Sequence, residues 1–160
     1  MSSTTYMRRC LELAEMAALA GDTAVGALVV RGDEVVGEGV ERTRATLDPS
    51  AHAEVEAIRQ ACRHLGTLDL RGCSLYSTVE PCVLCGYAIR QTGIAHVVYG
   101  VPAGQAGACT SAYAILADRD LAGWPPVPQV TAGVLADECL AALRRAKDPG
   151  QRPKAQADKG

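Results

Sequence analysis

Apolar residues recur at Met7, Cys10, Leu11 and Ala14, the spacing of one helical face, so residues 5–20 are expected to form an amphipathic helix ending at Gly21. The pattern then changes. AVGALVV (24–30) is a continuous apolar run of strand length, and EVVGEGV (34–40) follows it across the turn RGDE, which predicts a hairpin. The RGD triplet reads as that turn and not as an adhesion motif. Asp48-Pro49-Ser50 supplies helix-start chemistry for a helix over 51–64, and CSLYSTV (73–79) reads as a third strand. Pro81, a residue favoured in a first helical turn, introduces a helix over 82–91, and AHVVYGV (95–101) is a fourth strand. PAGQAGACTSAY is rich in small residues and reads as a loop leading into a helix near 111–119. WPPVP (124–128) is an extended connector, PQVTAGV a short fifth strand, and 135–146 a closing helix. Strands alternating with helices predict an α/β fold, a three-layer α/β/α sandwich whose five-stranded sheet is mixed because its first two strands form a hairpin.

The length of 160 residues fits one domain, expected over 1–147, with a polar and disordered tail at 148–160. Apolar residues make up 48% and charged residues 21%, the balance of a globular chain in water. No apolar run approaches the ~20 residues of a membrane span, and MSSTTYMRRCLELAEMAALAGD has no signal pattern. Seven cysteines, an odd number, read as reduced thiols, so the expected location is cytoplasmic. A net charge of −2 argues against a protein devoted to nucleic acid. The main basic concentration is Arg144, Arg145, Lys147, Arg152, Lys154 and Lys159, diluted by Asp148 and Asp158. It reads first as a solvated helix end, and only second as an RNA contact.

Two stretches carry chemistry: SAHAEVEAIRQACR (50–63) and VEPCVLC (79–85). His52 and Glu54 fall at the start of one predicted helix, Cys82 and Cys85 at the start of another. Cysteines three apart share a helix face and can hold one ion, and helix N-termini favour the thiolate that zinc requires. One imidazole and two thiolates make three protein ligands. Structural zinc sites are normally closed by four, whereas catalytic ones leave a position for water, whose pKa the metal lowers toward ~7. Attack on an amidine-like ring carbon also needs a proton shuttle, and Glu54, two residues from the histidine, is the candidate. A thioredoxin-like redox pair is the competing reading of Cys82-x-x-Cys85, but Glu80-Pro81 and His52-x-Glu54 fit zinc better. His64 and His96 lack such context. Cys10, Cys62, Cys73 and Cys139 read as small core residues, and Cys109, in the small-residue loop, has the pocket edge only as its second reading.

His-Ala-Glu followed by Pro-Cys-x-x-Cys resembles the zinc-dependent cytidine/deoxycytidylate deaminase superfamily. AVGALVV, DPSAHAEVEAIR, LYSTVEPCVLC and GVLADEC are similar to the branch of guanine deaminases, cytosine deaminases and tRNA adenosine deaminases, over roughly residues 6–146. The resemblance implies a five-stranded cytidine deaminase-like sheet between helices and a homodimer. It also implies one zinc on His52, Cys82 and Cys85, with Glu54 as shuttle and backbone near Ala27 and Val79 lining the pocket. Where much of this branch carries an asparagine that binds base or ribose, this chain has Glu41.

The reading drawn from these residues is a zinc-dependent hydrolytic deaminase of a small nucleobase, nucleoside or related amino-heterocycle, of guanine or cytosine type. Glu41 underlies it: an ionised carboxylate only accepts hydrogen bonds, so it suits donor-rich rings. The alternatives are a tRNA adenosine deaminase and a non-catalytic zinc-stabilised binding domain.

Overall fold

The computed structural model describes residues 1–148. Its sheet runs β2-β1-β3-β4-β5, built from β1 (Gly26–Arg31), β2 (Glu34–Val40), β3 (Cys73–Val79), β4 (His96–Val101) and β5 (Gln129–Thr131). The pairs β1/β2 and β1/β3 are antiparallel, and β3/β4 and β4/β5 are parallel. Alternation along the strands sorts side chains to two faces. Ala27, Val29, Leu75, Val97 and Tyr99 pack on one face with α3 (Ala53–Leu65) and α4 (Val83–Thr92). Leu28, Val30, Tyr76 and Val98 pack on the other with α1 (Ser3–Leu19) and α5 (Ala136–Lys147). The expected three-layer sandwich around a mixed sheet is therefore the arrangement observed.

One close approach positions the site. A Cβ on Gly39 of β2 would fall 1.8 Å from the Ala53 carbonyl oxygen, and one on Gly37 would fall 2.2 Å from that of Ala57. Bare glycines on the strand, facing Ala53, Ala57 and Ala61 on the helix, let α3 lie directly on β2. The start of α3 is thereby fixed beside the end of the strand.

Four details differ from expectation. Residues 111–119 form turns and not a helix: Leu116 N–H bonds to the Ala108 carbonyl, and the carbonyls of Ile115 and Asp118 are taken by Arg90. A four-residue helix, α2 (Thr43–Thr46), was not expected, and the fifth strand is only three residues long. Pro81 does not begin its helix; it precedes Cys82, the N-cap of α4. The seven cysteines form no disulfide, and among the described residues no helix is long and apolar enough to cross a membrane. Beyond Asp148, the expectation for the tail lies outside the described residues.

Candidate metal and active site

Both ligand-bearing helices begin the same way. His52 is the N-cap of α3 and Cys82 the N-cap of α4, each with extended backbone and no side-chain capping bond. A usual N-cap turns its side chain back onto its own helix. Here the imidazole and thiol are turned into the space between two helix N-termini. Cys85, one turn into α4, completes the cluster.

The spacing fits one tetrahedral ion. His52 Nδ1 lies 3.4 Å from Cys82 Sγ and 3.5 Å from Cys85 Sγ, and the two sulfurs are 3.8 Å apart. Zinc bonds of about 2.3 Å to sulfur and 2.0–2.1 Å to nitrogen, at tetrahedral angles, require edges of roughly 3.6 Å for S···N and 3.8 Å for S···S. Among the described residues, His52, Cys82 and Cys85 are the one group of three such donors close enough to hold a metal.

The proton inventory agrees. Cys82 is held down to about 4, first by its hydrogen bond with Cys85 and then by that with His52. The bonds to Cys82 in turn push Cys85 up and raise His52 to about 9. A dication bound here would displace the protons that the three side chains now share.

Glu54 is buried in the first turn of α3. Its Oε1 accepts from Ser77 Oγ of β3 at 2.9 Å, and its Oε2 lies 3.4 Å from Cys85 Sγ. Burial pushes the carboxyl up to about 7. A cavity of about 160 Å³ opens beside the cluster, lined by Thr23, Val25, Glu41, His52, Glu54, Val79, Glu80, Cys82 and Ala103. Glu41 forms part of that wall: its Oε2 accepts from the Ala53 N–H at 3.1 Å and its Oε1 from Thr43 Oγ1 at 3.3 Å. Burial raises its pKa as well.

The structure thus brings together His52, Glu54, Cys82, Cys85, Glu41 and Val79. Ala27 is fully buried within β1 and does not line the cavity; Val25, just before that strand, does. His64 stands 3.5 Å from Glu34 on the surface, and His96 bonds Thr131. Cys109 does not line the cavity, though its N–H donates to Glu80. The sequence reading missed Ser77, Thr23, Val25 and Ala103, and used Glu80 only as context for its neighbours. Of these, Ser77 was findable as a polar residue within a buried strand.

The description "Cytidine and deoxycytidylate deaminase zinc-binding region" matches residues 1–101. The chain belongs to this family of zinc-dependent deaminases. A tRNA-specific adenosine deaminase from Aquifex aeolicus is 33% identical over 147 residues, covering 90% of this chain and 97% of that protein. A solved structure from work on A-to-I editing by tRNA:A34 deaminases at the wobble position superposes with a TM-score of 0.82 at 32% identity, covering 88% of this chain and 99% of that one. A guanine deaminase structure from Bacillus subtilis gives a TM-score of 0.61 at 37% identity, over 64% and 66% of the two chains. A tRNA(Ile)-lysidine synthase from Deinococcus deserti is 39% identical over 88% of this chain, but the chain spans only 26% of that protein's length.

Proposed function

We propose that the protein is a hydrolytic deaminase converting adenosine to inosine in a tRNA loop, with zinc on His52, Cys82 and Cys85. The observation that carries the substrate class is likeness to tRNA-specific adenosine deaminases at 32–33% identity over 97–99% of their own length with a TM-score of 0.82, against guanine deaminases that match either over only 64% of this chain or at lower identity, with TM-scores of 0.61 and 0.72. Among the readings drawn from the sequence, the relatives favour the editing alternative over the small-base one. A cavity of about 160 Å³ suits a single ring system, as expected for a base flipped out of an RNA loop whose sugar and phosphates remain outside. Exposed Arg42 and Arg44, on the segment leading from Glu41 to His52, have no ion-pair partner among the described residues and can meet phosphate.

Zinc, when bound, supplies a Lewis acid that brings a water's pKa toward ~7. The rest is done by the chain. Glu54 takes one water proton on Oε2, while Ser77 holds Oε1, and passes it to the ring nitrogen; it then takes the second proton from the added hydroxyl and passes it to the amine, which leaves as ammonia. A carboxyl pushed up to about 7 by burial can accept and donate near neutral pH. The walls at Val25, Val79 and Ala103 hold the ring and keep bulk water from the reacting carbon.

The small-base reading keeps one observation in its favour, the acceptor-only carboxylate of Glu41 in the cavity wall. We further propose a cytoplasmic homodimer formed through the outer face of α4, where Val83 and Leu84 are 41% and Tyr87 51% exposed. Light scattering at twice the chain mass is the expected result.

The deciding experiment compares ammonia release from an anticodon stem-loop RNA with adenosine at the wobble position against adenosine, guanine and cytosine. The stem-loop is expected to have the highest kcat/KM. A best substrate among the free bases overturns the tRNA assignment, and no release from any of them overturns the enzyme.

A further inference from the structure

Residues 102–110 contain no regular structure beyond one 3₁₀ turn at Gly104–Ala106, yet they form one side of the cavity through Ala103. One carboxylate gathers three of their backbone N–H groups. Glu80 is 1% exposed. Its Oε1 accepts from the N–H groups of Cys109 at 2.9 Å and Thr110 at 2.8 Å, and from Thr110 Oγ1 at 3.0 Å. Its Oε2 accepts from the Ala103 N–H at 3.0 Å and shares the Thr110 hydroxyl at 2.9 Å. The loop is shaped around this group. A Cβ on Gly107 would fall 2.4–2.5 Å from the carboxylate atoms, so glycine is required there. The Ala108 N–H bonds the Pro81 carbonyl, and Gly107 bridges to Cys82. The same element therefore touches the loop wall and the metal-ligand turn.

We propose that Glu80 is a positioning residue for the reaction: it sets substrate affinity by fixing the 103–110 wall of the base cavity. This rests on the reading of that cavity as the substrate pocket. Both carboxylate oxygens accept backbone N–H groups, and an amide has one oxygen. Glu80→Gln keeps the oxygen where three bonds converge, at the Oε1 position, and turns its NH₂ toward the Ala103 N–H, donor against donor. Ala103 is released, and the ligands are untouched.

The test uses the zinc-loaded full chain. In Glu80→Gln, amide hydrogen exchange at Ala103 and across 102–110 is expected to rise, with zinc content equal to the parent. KM for the stem-loop RNA should rise about tenfold with kcat within about twofold, as expected for lost uniform binding. Arg90→Lys is the control: it loosens residues 113–125 of the same irregular segment and should leave KM unchanged. Should Glu80→Gln fold poorly, Thr110→Val removes the shared hydroxyl alone and should raise KM by about threefold. Unchanged exchange at Ala103, an unchanged KM, or an equal KM rise in Arg90→Lys overturns the proposal. If the stem-loop is not turned over but a free base is, the substrate class was wrong and KM is read on that base. The exchange comparison needs no turnover and separates the two failures.

Discussion

Residues 24–101 and residues 102–128 are ordered by opposite means. In the first stretch strands pair with strands and helices bond within themselves for most of the backbone, and apolar faces do the packing. In the second the backbone is satisfied from outside, by two buried charged side chains reaching from the regular part. Glu80 takes the N–H groups of Ala103, Cys109 and Thr110, while Arg90 donates to the carbonyls of Ile115, Asp118 and Pro125 at 2.7, 2.7 and 3.1 Å. Backbone groups left unpaired in a buried segment are costly, and either solution removes that cost. Only the first leaves a periodic trace in the sequence. Zinc chemistry sits on the periodic part, and one wall of the pocket sits on the other.

Breaking the ligand set in the regular part has the largest expected effect. Cys82→Ser or Cys85→Ser should lose zinc and lower Tm by about 10 °C, because metal binding free energy is also folding free energy. Turnover should fall below detection. Elemental analysis and calorimetry check this together, and a serine variant that keeps its metal and melts with the parent would remove these residues from the site.

Glu54→Gln comes next and separates chemistry from folding within the same helix turn. Zinc content should match the parent while kcat falls by at least ~10². Burial disfavours the charged form of Glu54, so the neutral amide, which still accepts from Ser77, should leave Tm unchanged or slightly raised. Near-parent turnover would exclude Glu54 as the shuttle.

In the irregular part the balance should invert. Arg90→Met leaves three carbonyls without their donor and should cost about 2–4 kcal/mol of stability, while zinc content and kcat stay near parental values. Denaturant melts alongside turnover measure both. A variant as stable as the parent would show that the 113–125 segment holds itself.

This inversion also explains what was legible in advance. Apolar runs of strand length between helices, and the Met7–Ala14 stripe, gave the layers, because those residues are apolar for the reason they are buried. His52, Glu54, Cys82 and Cys85 stood out because metal ligands and a shuttle need particular atoms at particular spacing. The segment SAYAILADR contains good helix formers, yet Arg90, more than twenty residues upstream, takes its carbonyls and holds it in turns. A long-range bond of that kind has no period to detect. Glu80 was hidden differently: next to Pro81 and Cys82 it looked like part of the metal motif, when its work is on a loop about thirty residues later.

Glu41 belongs to both regimes and carries the smallest expected effect. It caps α3 through the Ala53 N–H and bonds the Thr43 hydroxyl, and the same carboxylate faces the cavity. Glu41→Gln keeps one oxygen for the Ala53 N–H and offers an NH₂ that the Thr43 hydroxyl can accept, so stability should change by less than ~1 kcal/mol. Substrate choice should move more. A carboxylate rewards ligands with N–H donors through a charge-assisted bond, and replacing it by a neutral acceptor removes about 1 kcal/mol of that reward. At 1.4 kcal/mol per tenfold, the ratio of kcat/KM between guanine and the stem-loop RNA should shift roughly fivefold toward RNA. If that ratio does not move, the carboxylate acts only as the cap of α3, and the base is read by the walls at Val25, Val79 and Ala103.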